Sequence, residues 1–175
     1  IYSDYEEAIR KSGADAAIVC TPNHLHAAPT IAALKGGLHV LCEKPVAWSA
    51  VEARSIVPFI EKSGKIFAEA FQYRYHPLML KLREIIAAGE IGEVVKVEGS
   101  YCEIIPSRSQ VQFRADMSGG ALMDVGCYAV NFCRCFAGCD DAEVVRAESK
   151  IVNGVDGETV ADLLFANGVK ATVIG

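Results

Sequence analysis

The feature that most limits how this chain can fold is an alternation. Three short apolar runs, Ala16 to Cys20, His39 to Cys42 and Ile66 to Phe71, are separated by segments with helix signals. Each run has the length of a strand and is too short for a buried helix. Strands that alternate with helices over short connections read as βαβ units, which build a parallel, doubly wound sheet. Ser3 with Glu6 forms a capping-box pattern opening a helix to about Lys11, and Gly13 ends it. After a turn at Thr21-Pro22-Asn23, a second helix is expected from His24 to Lys35, with Pro29 tolerable only near its first turns. Gly36-Gly37 stops that helix. Ser49 with Glu52 is another capping box, starting a helix to about Ser63 that Pro58 should kink or shorten.

Beyond Phe71 the pattern changes. Leu78, Leu82, Ile85 and Ile86 recur at helical spacing in Pro77 to Ala88, and Gly89 and Gly92 bracket a turn. Val94 to Ile105 alternates like a strand, and Pro106 to Ser118 is a polar loop long enough to cover a site. Gly119-Gly120 precedes a helix from about Ala121 to Phe136. Strands are expected at Glu143 to Val152, Thr159 to Phe165 and Val169 to Ile174, the last two joined by a hairpin turn at Asn167-Gly168. A run of antiparallel strands after βαβ units implies a second, α+β domain. The expected division is 1–72 for the first domain and 73–175 for the second.

Composition excludes several classes of function. In 175 residues with 51% apolar content there is enough for a core, and the net charge of −5 with no basic run argues against nucleic acid. No apolar stretch reaches the roughly 18 residues of a membrane span. Seven cysteines is an odd count, and Cys20, Cys42, Cys127 and Cys133 lie in apolar segments. That pattern suits reduced thiols in a cytoplasmic protein better than a disulfide framework.

Two constellations carry chemistry. The strand His39 to Cys42 stops at Glu43-Lys44-Pro45, where proline removes a ladder N–H and favours an extended Lys44. Ligands of open α/β sheets bind at the carboxyl ends of strands, so this pair stands where chemistry is done. The competing reading is a pair of solvated charges at a strand end. In Asp124-Val125-Gly126-Cys127-Tyr128, the acid and the phenol are four apart, on one helix face and within reach of one ligand. Gly126 between them costs about 1 kcal/mol of helix propensity, which close approach of a ligand or another backbone would repay. Gly119-Gly120 offers the same freedom for approach to a ligand. Here the competing reading is a buried tyrosine bonded to a helix-end carboxylate.

Thr21-Pro22-Asn23-His24-Leu25-His26, Glu43-Lys44-Pro45, Tyr73-Arg74-Tyr75-His76-Pro77 and Gly119 to Tyr128 occur in an order and spacing that resembles the Gfo/Idh/MocA oxidoreductases over essentially the whole chain. Tyrosine at 128, where many members carry histidine, looks like the branch with dihydrodiol dehydrogenase, NADP-dependent xylose dehydrogenase and glucose-fructose oxidoreductase. The resemblance implies a Rossmann domain followed by a predominantly antiparallel sheet domain, which self-associates as a homodimer or homotetramer through its open sheet face. It implies NAD(P)-dependent oxidation of a sugar or cyclic diol, with NADP favoured over NAD by the branch alone.

Carried over by position, Tyr128 is the acid/base and Lys44 the cation that tunes it and binds the substrate oxygen. A phenol alone is a poor base at neutral pH, and a nearby ammonium favours its phenolate. The family leaves room for Lys44 to take more of the proton transfer. Asp124 orients substrate or Lys44, and Glu43 meets the cofactor ribose. Cys20, Thr21, Asn23 and His26, together with Lys44, line the cofactor where free N–H groups of a helix start suit a phosphate. Arg74 is a substrate or cofactor contact, or else a surface arginine.

No G-x-G-x-x-G occurs, and no strand precedes the first helix. The chain therefore reads as an internal piece of a longer enzyme, one that binds dinucleotide poorly alone and aggregates because its last strand forms a bare edge. A metal is not expected. Cys133 and Cys135 point about 200° apart on a helix, which disfavours one shared ion with Cys139, and His24 and His26 face different ways without a third ligand. Two other functions share these residues: a sugar–sugar oxidoreductase that retains NADP, and a non-catalytic NAD(P)/sugar sensor. Intact Lys44 and Tyr128 argue against the sensor.

Overall fold

The chain folds as two units, Ile1–Ala70 and Phe71–Gly175, and the computed structural model describes residues 1–107 and 110–175. Two positions of the polar loop expected at Pro106 to Ser118, Arg108 and Ser109, lie outside the described residues.

The first unit is α/β. Helix α1 (Tyr5–Lys11) is capped by Asp4, whose Oδ1 accepts from the Glu7 N–H at 2.8 Å, so the capping pair lies one residue beyond the expected Ser3 and Glu6. Acidic residues in its first turn and basic ones in its last complement the helix dipole. Strand β1 (Ala16–Val19), helix α2 (Ala27–Lys35), β2 (His39–Cys42), α3 (Ala50–Ser63) and β3 (Phe67–Glu69) follow. Helix α3 runs through Pro58 without being shortened, with the proline on its exposed side and Ile56 in the core. At its start Ser49 accepts from the Glu52 N–H, but Glu52 reaches back to the Trp48 N–H, one residue earlier than a capping box requires.

The three strands are parallel in the order β1-β2-β3, with Val19 opposite Cys42 and Cys42 opposite Glu69. Their carboxyl ends are thus level, and β2 lies in the middle. Val19, Leu34, Val40, Cys42 and Ile56 form the core between this sheet and its helices. On the other face Ile18 is 69% exposed and Leu41 opposite it is 39% exposed.

The second unit is α+β. Helix α4 (Pro77–Ala87) has proline in its first turn, where the missing N–H costs nothing, and His76 as its cap. Strand β4 (Lys96–Ser100) is shorter than the expected Val94 to Ile105, and it pairs from Lys96 opposite Lys170 to Ser100 opposite Ile174. A π-helical turn (Leu122–Gly126) leads into α5 (Cys127–Ala137), then β5 (Ala142–Val152), β6 (Val155–Phe165) and β7 (Lys170–Ile174). Asn153 and Gly154 both have positive φ, 53° and 82°, and turn β5 tightly into β6, which therefore starts before the expected Thr159.

The sheet order is β4-β7-β6-β5. Its antiparallel pairs are β5/β6 and β6/β7, while β4 and β7 are parallel. This corrects the expectation of a bare last strand: β7 lies inside the sheet, and the long outer strand is β5. Helix α5 packs on the sheet through Ala129, Cys133 and Phe136 against Val97, Phe165, Ala171 and Val173.

Candidate active site

Level strand ends gather the candidate residues of the first unit. Glu43 follows β2, donating its N–H to the Val19 carbonyl at 2.9 Å, while its carboxylate Oε2 accepts from the Lys44 N–H at 3.2 Å. Glu43 and Lys44 are half-buried, Pro45 is buried, and the Lys44–Pro45 bond is cis. Next to them Cys42 is fully buried; burial pushes its thiol up to about 11, and the Glu69 and Glu43 carboxylates add to the rise.

Cys20 and Thr21 follow β1 and are exposed; the Thr21 hydroxyl donates to the Leu25 carbonyl at 3.0 Å. Asn23 opens a single 3-10 turn, Asn23–Leu25, so the expected helix from His24 begins only at Ala27. The Leu25 and His26 N–H groups are consumed by the Pro22 and Asn23 carbonyls, and Pro29 supplies none, leaving this helix start poorer in free donors than expected. His26 does not face outward. Its ring is buried with Nδ1 2.7 Å from the Pro45 oxygen and Nε2 2.6 Å from the Thr21 oxygen.

In the second unit, Tyr128 stands at the start of α5 within an aromatic group. Phe71 and Tyr73 meet its ring edge-on at 5.4 and 5.9 Å, and Tyr101 lies at 5.6 Å. Gln72 Nε2 lies 3.4 Å from its hydroxyl. Gln72, Tyr73, Tyr101 and Tyr128, with Glu98 and Phe132, line a cavity of about 430 Å³. Aromatic walls with a few polar groups suit the flat apolar face of a sugar or a ring diol. Tyr73 donates to Asn131 at 2.8 Å, and burial, with the Cys135 charge, raises its phenol above the ordinary range.

Asp124 lies elsewhere, in a cavity of about 260 Å³ with Glu103, Gln112, Asp156 and Glu158. The spacing that placed it on one face with Tyr128 assumed an α-helix. That turn is π-helical, and Asp124 and Tyr128 line different cavities. The glycines around it serve backbone packing: a Cβ on Gly175 would meet the Gly126 Cα at 2.5 Å, and one on Gly120, whose φ is +122°, would strike the Asp156 carboxylate. Arg74 opens on a third, polar cavity with Asn131, Arg134, Cys135 and Asp140. The three late cysteines go separate ways, Cys133 to the Thr172 oxygen, Cys135 to Asn131 and Cys139 to the Asp141 oxygen.

Glu69 and Asp156 were missed by the sequence reading. Glu69 accepts from the Val46 N–H at 2.7 Å, and Asp156 accepts from the Leu122 N–H at 2.7 Å and from the Thr159 hydroxyl at 2.9 Å. A charged residue ending an apolar strand was the available signal for Glu69, the same one that exposed Glu43.

A dinucleotide fits the residues present in the first unit. Glu43 keeps carboxylate lone pairs beyond its own backbone contact, Cys20 and Thr21 are open at the strand end, and the buried His24 Nδ1 has no hydrogen-bond partner among the described residues. Among the described residues no helix is long and apolar enough to cross a membrane.

Residues 1–71 match the family model described as an oxidoreductase family with an NAD-binding Rossmann fold, and residues 79–175 match the GFO/IDH/MocA C-terminal domain. The chain is similar to D-xylose 1-dehydrogenase (NADP(+)) 2 of Haloferax volcanii, 37% identical over 98% of this chain and 53% of that protein. It is also similar to trans-1,2-dihydrobenzene-1,2-diol dehydrogenase of Mus musculus, 33% identical over 96% of this chain and 50% of that one. Among solved structures, levoglucosan dehydrogenase in complex with NADH and levoglucosan superposes with a TM-score of 0.92 at 27% identity, over 99% of this chain and 50% of that one. The chain spans about half the length of the curated relatives it matches.

Proposed function

The chain belongs to the GFO/IDH/MocA oxidoreductase family, and from that premise we propose that the whole protein is an NAD(P)-dependent dehydrogenase of a sugar or cyclic diol, with Lys44 and Tyr128 as its proton-transfer pair. The observation that carries the reading is the Glu43-Lys44-Pro45 element leaving the carboxyl end of the central strand of a parallel sheet. Relatives named for xylose and dihydrodiol oxidation supply the substrate class. Their mixture of NADP and NADH leaves both cofactors in the proposal, with NADP first.

Oxidising a carbinol requires its hydroxyl proton to leave as the hydride departs. Tyr128 takes that proton on its phenol oxygen, and the Lys44 ammonium stabilises the phenolate and the substrate oxygen. Asp124 orients the substrate through its hydroxyls. Glu43 accepts from ribose hydroxyls, and Cys20, Thr21 and Asn23 line the cofactor; when bound, the nicotinamide supplies the hydride acceptor. Arg74 is assigned to an anionic or hydroxyl-rich part of substrate or cofactor. The division of labour follows residues 1–72 for cofactor and 73–175 for substrate and self-association. Val144, Val145 and Ile151, exposed on β5, support a homodimer or homotetramer through the open sheet.

The test uses the full-length protein, following nicotinamide absorbance with NADP and NAD against aldoses, inositols and a cyclic diol. Turnover lowered by about 10²-fold or more in Lys44→Met, to a residual rate that is still measurable, supports the reading. Silence across the panel overturns it. NADP that stays bound through turnover, with a second sugar taking the hydride, identifies the sugar–sugar oxidoreductase instead, and binding without any turnover identifies the sensor.

A further inference from the structure

The peptide group joining Pro45 to Val46 is gripped from both sides. Its carbonyl oxygen lies 2.7 Å from His26 Nδ1, and its N–H donates to Glu69 Oε1 at 2.7 Å. The other ring nitrogen of His26 lies 2.6 Å from the Thr21 carbonyl. Thr21 follows β1, Pro45 and Val46 follow β2, and Glu69 closes β3. One buried imidazole and one carboxylate therefore tie the ends of all three parallel strands together.

Lys44 stands immediately before this gripped peptide, and its own N–H is held by Glu43 at 3.2 Å. The backbone is thus fixed on both sides of the residue. A lysine side chain has many rotamers, and a catalytic group must sit within about 0.5 Å of its productive place. Fixing the root of such a side chain narrows where its ammonium can go. Neither His26, which is 1% exposed, nor the Glu69 oxygen spent on Val46 is available to a substrate through these contacts.

We propose that His26 and Glu69 are positioning residues, which clamp the Pro45–Val46 peptide and thereby hold the backbone that presents Lys44. The proposal rests on the reading of Lys44 as the cation beside the reacting oxygen. It moves His26 from a cofactor contact to a backbone tie, and it gives Glu69 a task.

A double-mutant cycle in the full-length protein tests it, with Glu69→Leu, Lys44→Met and the pair, and with Glu69→Gln as the conservative control. Glutamine keeps an acceptor oxygen for the Val46 N–H. Glu69→Leu is expected to lower kcat by about 10- to 100-fold, the scale of a misplaced catalytic group, with the NADP dissociation constant within about threefold. Glu69→Gln should recover kcat to within about threefold, and in the Lys44→Met background Glu69→Leu should cost nothing further. An equal fractional loss in both backgrounds, or kcat and cofactor affinity falling together, overturns the proposal. Should Glu69→Leu fail to fold, His26→Gln, which retains one donor, takes its place in the cycle with the same criteria. A Lys44→Met protein with undiminished kcat would refute the reading of Lys44 rather than the clamp. Hydrogen exchange at the Val46 amide then decides the clamp: acceleration of about tenfold or more in the Glu69→Leu or His26→Gln protein supports it, and unchanged exchange overturns it.

Discussion

The two units hold the two residues proposed for proton transfer by opposite means. In the first, Lys44 sits on a loop, and buried side chains from neighbouring strand ends hold that loop by its backbone. In the second, Tyr128 sits on a helix, and the helix is placed by backbone-to-backbone packing of Gly126 on Gly175 and by Asp156 at its first turn. A loop can be aimed freely but needs polar ties to stay put. A helix is rigid along its length and needs only its entry fixed. Damage to the first arrangement should therefore appear in turnover, and damage to the frame of the second in stability.

The largest effect expected is on chemistry alone. Tyr128→Phe should lower kcat by about 10²- to 10⁴-fold, the contribution of general acid–base catalysis, with the NADP dissociation constant nearly unchanged; an equal loss of cofactor affinity would make the tyrosine structural. Next comes the helix entry. Gly120→Ala places a side chain at φ +122° against the Asp156 carboxylate, and should destabilise by about 1–3 kcal/mol, read as a lowered denaturant midpoint. Asp156→Ala removes the acceptor from the Leu122 N–H and should cost about 1–2 kcal/mol. If instead it left stability intact and raised KM, the carboxylate would belong to the substrate cavity and not to the frame.

A smaller contrast lies at α1, where Asp4→Ala should cost about 0.5–1 kcal/mol and Ser3→Ala nothing measurable. A contrast that appears only at high pH lies in the core beneath Lys44. The Cys42 thiol is raised from 9.0 to about 11 in the fold, so the folded state holds a proton that the unfolded chain releases. Its contribution to stability is complete below pH 9 and disappears as pH rises through about 11. Unfolding curves across that window should show a falling stability whose slope is reduced in Cys42→Ala. An unchanged slope would mean that another group titrates there.

Much of this was legible in the residues. The apolar runs ending at Val19, Cys42 and Glu69 with helices between them announce a parallel sheet, and the Glu-Lys-Pro break after β2 marks the carboxyl edge at which the proposed site lies. Strand β6 was read short because Asp156 and Glu158 look like loop residues, although they sit on a strand that the Asn153-Gly154 turn has already started. His26 was read as facing a cofactor, since nothing local distinguishes an inward imidazole from an outward one.

What the sequence by itself determined is the local and periodic: where strands and helices alternate, where glycine and asparagine turn the chain, and which charged residues interrupt apolar runs. Tertiary structure alone decided three things. It put β7 between β4 and β6, it set the Asp156 carboxylate on the Leu122 N–H, and it turned His26 and Glu69 onto one peptide. Each is a choice of partner between segments far apart in the chain. Side-chain spacing reports only which face of its own element a residue occupies, whereas a partner is chosen by the packing and hydrogen bonding of elements that meet only once the chain has folded.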